Sequence, residues 1–213
     1  MKHLIIVGAR GWGREVYSAA QNTQAYRMGE YDIKGFLDSK SDALDGMNGN
    51  YPPILGSPEN YQIENDDVFF IAMGDPQWRK HYAELMANKG AKFQTIISGT
   101  AGINSTAIIG EGAFIGGYSQ ISDNVVVGNH AMIHGFCTIG HNAVIEEYAS
   151  LGAYVFLGGY AHVGKNSNLA PKSMIIRMKG VGDNVMVGAG SIVIRTYGDN
   201  LHLFGNPAKK IDF

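Results

Sequence analysis

The 213-residue chain contains a single cysteine, Cys137, so no disulfide framework is available. Net charge is only −2, from 17 basic and 19 acidic residues, and no cluster of Lys and Arg marks a nucleic-acid surface. No apolar run approaches the roughly 18 residues that a membrane span needs, and the opening Met1-Lys2-His3-Leu4 shows no signal-peptide pattern. These absences predict a soluble cytoplasmic protein with no nucleic-acid or membrane partner. Glycine is abundant, at 29 residues. Its tolerance of positive φ predicts that most of the excess serves corners.

A six-residue period dominates the second half. Every sixth residue from Ile103 to Val193 is aliphatic, through Ile121, Ile139, Leu157 and Ile175. Four positions after each comes a second, mostly small residue, as in Ala107, Ala113, Ser119 and Cys137, with Lys179 the departure. A helix has no such period and an alternating strand repeats every two. A hexapeptide repeat marks a parallel β-helix, each repeat one short strand and one corner. With three repeats per turn, residues one full turn apart lie one above another, at a coil spacing of about 4.8 Å. The run makes about five coils and breaks near Thr196.

Residues 1–97 read differently from 98–213. Leu4–Val7, Ile33–Asp38, Val68–Met73 and Phe93–Ile97 are strand-like, Arg14–Ala20 and Trp78–Asn88 are helix-like, and Ser39–Gln62 is loop-like. Alternating strands and helices predict a small Rossmann-like parallel sheet. Its first turn is Gly8-Ala9-Arg10-Gly11-Trp12-Gly13, a glycine loop opening a helix, where unpaired N–H groups hold phosphates. Asp38 ends the second predicted strand, near the place of a ribose-binding acid. Gly74-Asp75 lies at the carboxyl end of another strand, where open sheets bind ligands. The glycines are spaced G-x-x-G-x-G rather than as the dinucleotide fingerprint, which favours a phosphate or nucleotide over NAD.

Four histidines fall in the coil: His130, His134, His141 and His162. His141, two residues past Ile139, faces outward; His134, one past Ile133, sits near a corner of the neighbouring face. One full turn of three repeats separates Asp123 from His141, and another separates His141 from Gly159. A carboxylate one coil away orients an imidazole, and a glycine one coil the other way exposes a peptide N–H. Base, orienter and oxyanion donor are the parts of acyl transfer. Zinc would need three converging histidines. His134 and His141 are seven apart across a corner, so a third ligand would have to come from another subunit and no metal is expected.

The order of strand, Gly8-Ala9-x-Gly11-x-Gly13, helix, hexapeptide coil and Gly205-Asn206-Pro207-Ala208-Lys209 resembles the sugar acyltransferases of the sialic-acid O-acetyltransferase type, including N-acetyltransferases acting on UDP-4-amino sugars. The resemblance implies a homotrimer of left-handed β-helices, with acetyl-CoA in a groove between neighbouring subunits and a UDP- or other nucleotide-linked sugar on the N-terminal domain. It implies His141 as the catalytic base, Gly159 as the amide facing the acetyl carbonyl, and Ala189 as a later amide against the cofactor. The tail Asn206, Pro207 and Lys209 falls with the cofactor site. Where the family commonly has an acid after the base this chain has Asn142, and where it has an asparagine seven residues before the base this chain has His134. Ser150 replaces a histidine that helps hold the acetyl group, and Trp12 replaces a histidine of the glycine loop, beside Arg10. The expected function is acetyl transfer from acetyl-CoA to an amino or hydroxyl group of a nucleotide-linked sugar, in one ternary complex. The alternatives are a non-catalytic hexapeptide scaffold, or an acyltransferase for a small non-nucleotide acceptor.

Overall fold

The computed structural model describes residues 1–211. The chain divides into two compact units between Ile96 and Ile97. Among the described residues no helix is long and apolar enough to cross a membrane. The first unit carries a parallel sheet in the order β2-β1-β3, where β1 is Lys2–Val7, β2 is Tyr31–Leu37 and β3 is Asp67–Ile71. Central β1 has Leu4, Ile5, Ile6 and Val7 wholly buried. Parallel strands need crossovers. These run through α1 (Gly11–Gln21) and α2 (Gln24–Arg27) before β2, and through the 38–66 segment before β3; α3 (Pro76–Asn88) follows. The predicted fourth strand does not join this sheet as an element: Phe93 makes one isolated bridge to Phe69, and Ile96–Ile97 is a two-residue strand of another sheet. The loop-like stretch is also more ordered than its composition implies. Ile54 bridges to Phe36, and Leu55 N–H donates to the Phe36 carbonyl at 2.8 Å.

A polar cluster pins this stretch to the sheet. Lys34 Nζ donates to Tyr61, Glu64 and Asp67 at 2.9, 2.8 and 2.9 Å. The Asp67 side chain is fully buried, and its other oxygen accepts from Tyr61 Oη and the Glu64 N–H, both at 2.9 Å. Burial opposes charge on both partners, but the Glu64 N–H, Lys34 and Tyr61 overcome it and hold the Asp67 carboxyl below the usual carboxylate range. Burial would lower the Lys34 ammonium, yet bonds to Glu64, Tyr61 and Asp67 raise it.

The second unit is a left-handed parallel β-helix, an exception to right-handed crossovers. Strands of two residues stack into three faces. The first face runs from Gly102–Ile103 to Ile192–Val193 in six strands, and the second from Ile108–Ile109 to Gly180–Val181 in five. The third starts at Ile96–Ile97 and climbs from Phe114–Ile115 through Met132–Ile133 and Ser150–Leu151 to Met186–Val187. It ends in a hairpin of His202–Phe204 and Lys209–Ile211, so the tail that reads as a separate element completes the coil. The winding makes about six turns rather than five. Strand partners stand one full turn apart, as Thr138 lies between Gln120 and Phe156. The aliphatic column fills the interior, with Ile115, Ile133, Ile139, Leu151 and Leu157 all at 0 % exposure. Cys137 joins it, and burial pushes its thiol up to about 11.

The glycines mostly do not serve corners as composition suggests. The corner residue, three past each buried aliphatic, is usually a larger one. Tyr118, Asn124, His130, Phe136, Asn142, Tyr148, Tyr154, Tyr160, Asn166, Lys172, Met178 and Asn184 all have positive φ, from 55 at Asn184 to 63 at Tyr154. This left-handed conformation is disfavoured by about 1–2 kcal/mol per residue. The coil before holds it: Phe136 N–H donates to the Gly117 carbonyl at 2.9 Å and Tyr154 N–H to the Gly135 carbonyl at 3.1 Å. Stacked side chains add to it, Phe136 lying 5.1 Å from Tyr118 and 4.9 Å from Tyr154. Many glycines stand instead directly after the buried aliphatic, where the next coil crosses closely. A Cβ on Gly164 would come within 2.3 Å of the Gly182 carbonyl carbon, and one on Gly140 within 2.6 Å of the Gly159 nitrogen.

Gly164→Ala is therefore expected to destabilise the coil by about 1–3 kcal/mol through overpacking, whereas Asn124→Gly, at a left-handed corner, leaves the urea midpoint nearly unchanged. Equal midpoints for the two variants would refute this account of the glycines. In the first unit, the depressed Asp67 carboxyl contributes stability that is present above its unfolded value, ordinarily about 3.9, and lost as pH falls through the folded one. Melting followed from neutral pH into the acid range should show that loss in the wild type and a flatter curve in Asp67→Asn.

Candidate active site

The outward turn between the first and second faces carries His141. The hexapeptide register sets its backbone: Gly140 N–H donates to the Leu157 carbonyl at 2.8 Å and Tyr160 N–H to the His141 carbonyl at 2.9 Å. Its ring then lies over the coil above. A Cβ built on Gly159 would stand 2.7 Å from His141 Nε2 and 2.9 Å from Cε1, so the imidazole occupies the space that a side chain there would fill. The Gly159 N–H has no acceptor among the described residues. Tyr160 meets the imidazole edge-on, with centroids 5.2 Å apart.

His141 Nδ1 lies 3.0 Å from Asn142 Oδ1. An amide oxygen only accepts, so this contact places the proton on Nδ1 and leaves the Nε2 lone pair facing Gly159. Asp123 is not the orienter that its one-turn offset suggests. Its oxygens accept from Asn104 Nδ2 at 2.9 Å and Thr106 Oγ1 at 3.0 Å, one coil lower. Only its backbone reaches the site's coil, where its carbonyl accepts from the Asn142 N–H at 2.9 Å. Two short donors capture the carboxylate before a ring on the coil above can. Among the described residues no cluster of His, Cys, Asp and Glu could hold a metal ion.

The other coil residues singled out by sequence lie elsewhere on the prism. Half-buried His134 and buried Ser150 belong to the third face, the first with its ring 6.3 Å from Phe114. Ala189 is exposed at the turn after Met186–Val187. Asn206, Pro207 and Lys209 are exposed on the terminal hairpin, whose Ala208 is buried and donates its N–H to the Ile192 carbonyl at 2.8 Å. Within one chain, none of these shares the His141 turn.

The first unit holds a cavity of about 490 Å³ at the carboxyl ends of its strands. Gly8, Arg10, Trp12, Gly13, Asp38 and Gly74 line it. Gly8 has φ +104, and a Cβ on Gly13 would sit 1.9 Å from the Gly8 carbonyl oxygen, so both glycines are required by the turn. Gly11 meets no such constraint and is not part of the lining. The start of α1 has no side-chain cap, and helix N-termini favour anions. Asp38 grips the loop: its oxygens accept from the Ala9 and Lys40 N–H groups, both at 3.0 Å. Asp75 does not line the cavity; it caps α3, accepting from Gln77 and Trp78 N–H at 2.8 and 3.3 Å.

Sequence reasoning missed the far wall. Trp78, Tyr82 and Pro58 also line the cavity. Fully buried Arg79 ties down the β3–α3 turn, donating to the carbonyls of Met73 at 2.8 Å and Gly74 at 3.2 Å. The available signal is Trp78 and Tyr82 four apart on one helix, a spacing that reads equally well as core.

Together these define a class: a Rossmann-like domain with an open glycine turn, joined to a left-handed hexapeptide β-helix with a histidine set over a bare amide. Residues 3–86 match the PglD N-terminal domain, and residues 106–141 match the bacterial transferase hexapeptide model of six repeats. The resemblance read from the sequence, to hexapeptide-repeat sugar acyltransferases, thus holds in both halves. UDP-N-acetylbacillosamine N-acetyltransferase of Bacillus subtilis (strain 168) is 31 % identical over 119 residues, covering 54 % of this chain; the match spans about half, 51 %, of that protein. Perosamine N-acetyltransferase from Caulobacter crescentus, solved as a mutant with CoA and GDP-perosamine, superposes with a TM-score of 0.88 at 20 % identity, covering 100 % of this chain and 98 % of that one. The acetyltransferase domain of PglB from Neisseria gonorrhoeae FA1090, solved with acetyl coenzyme A, gives 0.87 at 24 % identity and 99 % coverage of both chains.

Proposed function

We propose that this protein is an acetyl-CoA-dependent N-acetyltransferase acting on a nucleotide-linked amino sugar. The observation that carries the reading is the His141 imidazole lying against Gly159 with Asn142 at its far nitrogen. The solved proteins of the same fold carry CoA or acetyl-CoA, and one carries GDP-perosamine, an amino sugar on a nucleotide.

His141 Nε2 takes a proton from the acceptor amine as its nitrogen attacks the thioester carbonyl. The Gly159 N–H donates to the oxygen on which negative charge develops. A donor so aimed is typically worth about 3–4 kcal/mol. Collapse of the tetrahedral intermediate breaks the carbon–sulfur bond, and the imidazolium returns its proton to the departing CoA sulfur. Asn142 fixes the tautomer without adding charge. The transfer is direct: Cys137 is buried in the coil interior, its Sγ 3.2 Å from the Gly152 carbonyl, and its raised thiol makes a poor nucleophile. The nucleotide end of the acceptor is held by the glycine loop, with its phosphates on the open start of α1 beside Arg10.

The assembly in this reading is a homotrimer. His134 and Ser150 stand on a different face from His141, so they act on the donor or acceptor only at the His141 turn of a second copy. Ile108, 65 % exposed, and Val126, 38 % exposed, form an apolar stripe on the second face that a copy covers.

His141→Ala should lower turnover by roughly 10²–10⁴-fold while the dissociation constant for acetyl-CoA, read by calorimetry, changes little. Near-normal acetylation of UDP- and GDP-linked 4-amino sugars by that variant would remove His141 as the base. Gly159→Ala pushes a methyl group into the imidazole and is expected to match the His141→Ala loss. A Gly159→Ala enzyme with wild-type turnover would show that the ring and the amide do not work together.

A further inference from the structure

The cavity of the first unit is asymmetric, and its asymmetry orients the nucleotide. At one wall the start of α1 is uncapped and carries Arg10. At the other, Asp75 consumes the first N–H groups of α3. That wall offers aromatic surface. Trp78 lines the cavity, yet it is 58 % exposed to solvent. Its ring centroid is 6.3 Å from that of Tyr82 with planes inclined by 30°. His81 props both from the side, edge-on to Trp78 at 5.7 Å and to Tyr82 at 5.1 Å. An indole braced in this way at a cavity mouth is apolar surface open to a flat ligand, which removes that area from water on binding.

Tyr82 adds a polar handle. It is half-buried, and its hydroxyl has no hydrogen-bond partner among the described residues. Burial, then Glu59 and Asp38, push the phenol up, with Arg10 opposing. It therefore stays protonated at neutral pH and can donate.

We propose that Trp78 and Tyr82 form the platform for the base of the nucleotide sugar: the base stacks on the Trp78 indole, the Tyr82 hydroxyl donates to the base or ribose, and the diphosphate lies across the cavity at the start of α1. This rests on the nucleotide-sugar reading above. Stacking tolerates any base, so the platform accepts uridine and guanosine diphosphates alike, and discrimination between them falls to hydrogen bonds at its edge.

Binding of UDP, GDP, inorganic pyrophosphate and acetyl-CoA to the full chain tests this. Trp78→Ala should weaken UDP and GDP by roughly 5–150-fold, the range that loss of one base stack produces, and Trp78→Phe should recover most of it. Pyrophosphate and acetyl-CoA should bind all three proteins equally. Tyr82→Phe should weaken the nucleotides by a smaller factor. In Trp12→Phe, Trp78 is what remains of the chain's two tryptophans, and its emission should be quenched by UDP but not by pyrophosphate; this readout stands even if Trp78→Ala folds poorly. Unchanged nucleotide affinity in Trp78→Ala, an equal loss for pyrophosphate, or an unquenched Trp78 overturns the platform. A wild-type protein that binds acetyl-CoA but neither UDP nor GDP overturns the nucleotide reading itself, and the platform with it.

Discussion

The close crossing of successive coils governs the second unit. Backbones stacked at about 4.8 Å leave no room for a Cβ at many positions directly after a buried aliphatic, and glycine stands there at Gly116, Gly128, Gly140, Gly152, Gly158 and Gly164. The left-handed corners follow from the same stacking. Corner N–H groups are claimed by carbonyls one coil earlier, which holds even Tyr, Phe and Lys at positive φ. The His141 site is a local product of this constraint. An outward ring on one coil lies against the next, and it fits only because position 159 has no side chain. The same missing side chain uncovers the amide that the ring needs beside it. In the proposed mechanism the base and the oxyanion donor are thus positioned by rigid, repeated backbone, as preorganised catalysis requires.

Carboxylates in this chain mostly serve structure. Asp38 holds the glycine loop, Asp75 closes α3, Asp67 anchors the Lys34 cluster, and Asp123 is taken by Asn104 and Thr106. The consequence at the His141 turn is electrostatic. The Asn142 amide beside His141 fixes a tautomer but lends no charge to an imidazolium. In the other unit, α3 is closed by an acid while α1 has no side-chain cap, so the two walls of the cavity are unlike.

The coil is legible because its period maps directly onto geometry. The aliphatic column, the one-turn stacking and the pairing of His141 with Gly159 all follow from counting. Counting fails where side-chain reach decides. Asp123 sits at the right offset, but shorter contacts to the coil below outcompete the ring above. Composition misplaces the glycines for a related reason: positive φ is a property of one residue, whereas a backbone crossing one coil away is not visible in any single position. In the first unit the glycine loop is readable from its spacing. The far wall is not, because Trp78 and Tyr82 at helical spacing look the same whether they face a core or a cavity. Phe93–Ile97 has strand composition, yet it splits: Phe93 contributes one bridge to the first sheet and Ile96–Ile97 is a strand of another, since sheet membership depends on where the chain turns next.

The three faces divide the departures from the family pattern between two locations. Asn142 adjoins His141 and contacts its Nδ1 within the same copy. His134 and Ser150, on the third face, cannot reach that turn within one prism, and neither can exposed Ala189. In the proposed trimer each active site is composite, with the base and oxyanion donor from one copy and the third-face residues from the next. Substitutions there then change what the neighbour's base acts on without disturbing the base itself. His134 is half-buried with its ring 6.3 Å from Phe114, and Ser150 is buried on the same face. Chemistry and selectivity are thereby separated onto different faces of one repeating scaffold, so each can vary without the other and without altering the winding that supports both.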